Sequence, residues 1–195
     1  MNRFGWWCAL VTTAGLCLTS VAPLRAASFT LTPAERAEAI RAGKRSIVSE
    51  EFGGEGKVGG ERPGQSVMVI TPFHRLALAA RNSTFKGQEL AAKDIDDLLR
   101  DQEGRVTVWA ALAGGKADFA RFYTAVLMAG RQEIKPSFRQ NERTGRREDN
   151  GSFTAHCIYV FPAEQFKPTD TLVLIVKDSD ERQVAKFMLD LSAMR

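Results

Sequence analysis

The chain has 195 residues, with 27 basic and 23 acidic side chains, a formal charge of +4, three cysteines and two histidines. So even a charge balance gives no electrostatic footprint for nucleic acid, and so few histidines and cysteines leave little material for a metal centre or a thiol catalyst. The length suits one ordinary domain with a proper core, or a domain with a helical appendage.

Arg3 precedes an uncharged run from Phe4 to Leu24, which gives way to Arg25-Ala26-Ala27 and a polar sequence. This is the pattern of an export signal over residues 1–26, with a basic start, an apolar stretch and small residues at the cut. Cleavage after Ala26 puts Leu24 and Ala26 at the specificity positions, whereas a cut after Ala22 would leave the disfavoured Pro23 next in line. The expected mature chain starts at Ala27 and works outside the cytoplasm, in the periplasm or secreted. The alternative is an uncleaved anchor, since the run approaches the ~20 residues that span a bilayer; Thr12, Thr13, Gly15, Thr19 and Ser20 weigh against it. A membrane is a partner only on that alternative. Leu16 before Cys17 speaks against a lipid anchor, and the flanking arginines are not adjacent, as a twin-arginine signal requires. Cleavage removes Cys8 and Cys17, so Cys157 is left without an internal disulfide partner. Its place in the apolar run Phe153 to Phe161 predicts a buried thiol.

Residues 27–103 read as a helical region holding a glycine-rich loop at 53–64 and one short strand. Thr32, Pro33 and Glu35 spell a capping box and predict a helix from Pro33 to about Glu50, interrupted by Gly43, whose sparse apolar residues suit a surface helix. In the loop, Gly54, Gly56 and Gly59 match the dinucleotide fingerprint by spacing alone. The strand before and helix after are missing, and Lys57 lacks a following serine or threonine, so no nucleotide partner is implied. A strand is expected at Ser66 to Ile70, then a helix capped by Thr71 and opened by Pro72, with Phe73, Leu76, Ala77 and Ala80 on one face. A further helix, Ala91 to Arg100, presents Ile95, Leu98 and Leu99; both helices are expected to pack on a sheet.

From residue 104 to 195 the texture becomes strand-rich. Strands are predicted at Arg105 to Ala113, Arg121 to Ala129, Glu133 to Phe138, Ser152 to Phe161, Thr171 to Lys177 and Arg182 to Leu191. Residues 121–129 also suit a helix capped by Asp118 and closed by Gly130; the strand is preferred because a hairpin signal follows. Val173 and Ile175 make their strand apolar on both faces, which asks for a covering layer on each. The fold class is α+β: an N-terminal helical region followed by an antiparallel immunoglobulin-like β-sandwich.

Chemistry-bearing residues are few. His74 falls in the first turn of its helix, where the dipole favours the neutral imidazole, a packing or capping residue before it is a base. His156 and Cys157 are adjacent on a strand and point to opposite faces, so they cannot act as a pair. The chain lacks Gly-x-Ser-x-Gly and His-Glu-x-x-His. Asp170, Asp178, Asp180 and Glu181 are a solvated turn before they are an oxygen-ligand calcium site. Arg139, Arg143, Arg146 and Arg147 are the candidate ligand-binding residues, since guanidinium forks match phosphate, sulfate or acidic polymers; Glu142, Glu148 and Asp149 offset that charge.

The resulting expectation is a noncatalytic exported envelope protein, a binding or structural module for a protein or cell-surface component, with no cofactor and no metal. An exported hydrolase or transferase using His74 or His156 is the alternative.

Overall fold

The computed structural model describes residues 29–46 and 56–194, so the export signal, its cut and the part of the first helix expected beyond residue 46 lie outside the described residues. The fold is mixed α+β, with three helices and two antiparallel sheets among the described residues. Helix α1, Pro33–Arg45, carries the full capping box: the Glu35 amide donates to the Thr32 hydroxyl, and the Glu35 carboxylate accepts from the Thr32 amide at 2.8 Å. Strands β1, Lys57–Gly59, and β2, Ser66–Ile70, precede α2, Pro72–Phe85, and α3, Ala92–Gln102. The expected order, helices first and sheets second, is therefore corrected, because only α1 stands before the strands. β1 also replaces part of the expected glycine-rich loop, and an extended Gly59 is not the helix start a dinucleotide site needs.

The remaining strands are β3 Arg105–Gly114, β4 Thr124–Ala129, β5 Gln132–Ile134, β6 Phe138–Asn141, β7 Arg146–Arg147, β8 Phe153–Pro162, β9 Thr171–Lys177 and β10 Gln183–Asp190. The first sheet runs β1-β2-β3-β8-β6, with β7 also on β8; the second runs β10-β9-β4-β5. The ambiguous segment is strand from Thr124, with turns before it. The single strand expected over Glu133 to Phe138 is two: Ile134 pairs with Leu127 in the second sheet, and Phe138 with Val160 in the first. Pro136 lies at the crossing, where no ladder needs its missing amide hydrogen.

Period-two alternation builds the core. Val106, Val108, Ala110 and Leu112 of β3 and Ala155, Cys157, Tyr159 and Phe161 of β8 meet Leu172, Leu174 and Val176 of β9 and Ala185, Phe187 and Leu189 of β10 in one buried cluster. The helices do not cover a sheet face as expected. Their buried side chains form a separate cluster with Leu31, and Val173 and Ile175 stay half-buried on the outer face of the second sheet. Gly43 is no interruption either: a Cβ there would lie 2.1 Å from the Ala77 carbonyl oxygen. The glycine lets α1 approach the backbone of α2.

Candidate functional site

The outer face of the first sheet carries accessible apolar groups near polar side chains. Strand register lines up Lys57, Met68, Trp109, Ile158 and Gln140 across β1, β2, β3, β8 and β6. A parallel row joins Thr107, Val160 and Phe138 and ends at Ile70, which is buried. Trp109 is 39% exposed and Phe138 52% exposed. A shallow hollow of about 390 Å³ opens here, with Met68, Trp109, Ala111 and Ile158 in its lining and Lys57, Ser66 and His156 as its polar members. Trp109 was not among the sequence candidates. The signal was present, because it lies in phase with Arg105 and Thr107 and out of phase with the buried valines of its strand.

The histidines part company. His156 is exposed on this face, 3.4 Å through Nδ1 from a Glu142 carboxylate oxygen, and its backbone amide donates to the same oxygen at 2.8 Å. Cys157 points into the core, as alternation predicts. Burial pushes its thiol pKa up, which removes the thiolate a nucleophile needs. Ser66 and His156 both pair with Ala111, from opposite sides. Two strand spacings, roughly 10 Å between Cα atoms, separate them, so this face does not assemble a serine–histidine pair. His74 is buried, with Nδ1 3.0 Å from the Thr71 hydroxyl, whose oxygen also accepts from the His74 amide at 3.2 Å. Its ring faces Gly56, where a Cβ would sit 3.5 Å from Cε1. That geometry makes His74 a packing joint between β1, β2 and α2.

The arginine-rich stretch is an edge and not the open loop its composition suggests. Register places Arg139 opposite Tyr159, Arg146 opposite Thr154 and Arg147 opposite Phe153, with Arg143 in the turn between β6 and β7. The four are not brought to one point. Arg146 shares the outer face with His156 and is ion-paired to Glu148 at 3.1 Å, and the hydrogen bonds from Arg146 and then Thr154 hold the Glu148 carboxyl below its ordinary pKa. Arg139 instead lines a second hollow, about 510 Å³, between the sheet edges with Lys135, Lys177, Glu133 and Glu181.

The Asp178 carboxylate is engaged in its own turn, accepting from the amides of Asp180 and Arg182 at 2.9 Å each. Arg182 pairs with Asp180, and Lys177 with Glu181 at 3.4 Å. Asp170 accepts from the Lys167 amide at 2.8 Å, outside that turn. Among the described residues no three histidine, cysteine, aspartate or glutamate side chains are grouped to hold a metal, and no helix is long and apolar enough to cross a membrane.

No family model matches this chain, and no curated protein matches it. It is similar to a crystal structure described as a novel protein of unknown function from Burkholderia pseudomallei K96243, at 9% identity and a TM-score of 0.41, covering 84% of this chain and 91% of that one.

Proposed function

We propose that this protein is an exported, noncatalytic binding module, built on an immunoglobulin-like sandwich, that engages a protein or cell-surface component outside the cytoplasm. The observation that carries the reading is the open row Met68, Trp109 and Ile158 on the first sheet, beside Lys57, His156 and Arg146. An aromatic ring in an apolar floor with a polar rim is the composition of a recognition surface. The edge carrying Arg146 borders the same face, so Arg146 contributes to the rim, while Arg139 lines the other hollow. The amino-terminal sequence supports export, with residues 1–26 removed.

The competing reading is a hydrolase or transferase using His74 or His156. The His156–Glu142 contact favours it, since a carboxylate beside an imidazole can orient a base. The buried thiol and the distance to Ser66 leave that base without a nucleophile. Water activation by His156 remains the form of this alternative that the geometry supports.

The test is co-sedimentation of the purified protein with envelope isolated from its own host. Trp109→Ser is expected to abolish retention while leaving the circular dichroism spectrum unchanged, and His156→Ala to reduce it only slightly. Retention unchanged by Trp109→Ser overturns the proposed surface.

A further inference from the structure

The second sheet ends on one side with β10, whose far edge pairs with no described strand. Its inward side chains Ala185, Phe187 and Leu189 are buried, and its outward ones, Lys186, Met188 and Asp190, are exposed, Met188 at 65%. Natural sheets protect such edges with charges, bulges or covering elements. Here a register irregularity lies near Val184 and a short 3-10 turn begins at Leu191. Between them no described strand pairs with Lys186 to Asp190 on the side away from β9, and β1 of the first sheet comes close to β10 without pairing with it.

We propose that this edge pairs with a second copy of the chain, antiparallel and centred on Met188. Two copies meeting edge to edge must keep core side chains on one face and exposed side chains on the other, which restricts the pairing to registers that match like parity. A centre at Lys186 sets that lysine against itself. A centre at Phe187 sets Lys186 against the partner's Met188, and Val184 against the partner's Asp190. The centre at Met188 sets each Lys186 against the partner's Asp190 and the two methionines against each other, with Phe187 against the partner's Leu189 below. Opposite charges and apolar groups directly across an antiparallel pair are both favourable.

The side chains are available for it. Asp190 holds the following turn through Oδ1 alone, accepting from the Ser192 amide at 3.0 Å and its hydroxyl at 2.5 Å, so Oδ2 is left for the lysine. Lys186 makes no ion pair among the described residues. Met188 already lies beside Val173, which lies beside Met128. Pairing therefore continues one apolar row across the axis into the partner's sheet. The surface is separate from the Trp109 face and does not depend on it.

Sedimentation equilibrium of the protein purified from its own host, over a concentration series, tests the proposal. Wild type is expected to form a dimer. Met188→Lys and Met188→Glu each place like charges on the axis and are expected to be monomers with unchanged circular dichroism, whereas an equal mixture of the two returns to dimer. Lys186→Glu is expected to weaken the dimer about tenfold, by turning each cross-strand attraction into repulsion. A wild type that stays monomeric throughout overturns the proposal, as does a dimer indifferent to both Met188 substitutions or a mixture that stays monomeric.

Discussion

The two-sheet core and the helical cluster are built on different terms. The sheets bury Tyr159, Phe161, Phe187, Leu112, Leu127, Leu172, Leu174 and Leu189 almost completely. The helices bury Leu76 as fully, but their other wholly buried members are small, and α3 buries no residue completely. What joins α1 to α2 is closeness, with Gly43 against the Ala77 carbonyl. What ties α1 to α3 includes an exposed Arg36–Asp96 pair at 3.1 Å, a type of contact worth about 0–1 kcal/mol. Area holds the sheets and fit holds the helices, so the helices should open at lower free energy than the sheets.

The largest effect should follow from emptying the sheet core. Leu174 is fully buried, with Leu127 and Phe187 opposite it on the neighbouring strands. Leu174→Ala should cost about 3 kcal/mol, roughly 10 °C in melting temperature, and the Cys157 thiol should become reactive at the same denaturant concentration at which the sheets unfold. Early exposure of Cys157 would mean that the sheets do not unfold together. Next comes Gly43→Ala. Helix propensity alone predicts a gain of up to about 1 kcal/mol; the carbonyl of Ala77 cannot yield to a Cβ, so overpacking should win, at a cost of about 2 kcal/mol. Hydrogen exchange should then show α1 and α2 losing protection while β3, β8 and β9 keep theirs. A stabilised Gly43→Ala variant would remove the basis for calling the helical cluster a fitted one.

The joint between the regions is Thr71, directly after β2. Thr71→Ala removes the acceptor for the His74 amide and the hydroxyl beside its ring, and should cost about 1 kcal/mol. Exchange protection at the start of α2 reports it. An unchanged melting temperature would mean that other contacts hold the joint.

The legibility of these regions follows the same physics. The strand Thr171 to Lys177 and the capped starts of α1 and α2 could be read because local rules decide them, alternation in one case and side-chain caps in the other. The placing of His156 and Cys157 on opposite faces came from the same alternation, and the burial of Cys157 from its apolar run. β6 and β7 could not be read, since Arg139, Gln140, Arg146 and Arg147 are all exposed on an edge and carry no apolar period. The pairing of β2 with β3 across two intervening helices is decided by tertiary packing, and so was mistaken for a helical region with one stray strand. The Trp109 face went unseen for a related reason. Its row is assembled from separate strands, and only register reveals that Met68, Trp109 and Ile158 are neighbours.

The smallest effect lies inside the sheet core. The Tyr159 hydroxyl is buried with no hydrogen-bond partner of sound geometry, its polar neighbour being the Cys157 thiol. A desolvated, poorly partnered hydroxyl contributes little, so Tyr159→Phe should be neutral or stabilising by up to about 1 kcal/mol at neutral pH. Alkali separates the two variants further. Burial raises the pKa of both the Tyr159 phenol and the Cys157 thiol. In the unfolded chain these groups ionise near their ordinary values of 10.0 and 9.0, while the folded chain keeps them neutral. The unfolded state therefore gains as pH climbs past about 9, and stability present below that pH is lost above it. Cys157→Ser should delay the onset of that loss and Tyr159→Phe should flatten its steeper part above pH 10. Denaturant midpoints between pH 7 and 11 measure both. A profile identical in wild type and variants would mean that other titrations drive the alkaline transition, and that these two groups are no part of what keeps the sheets closed.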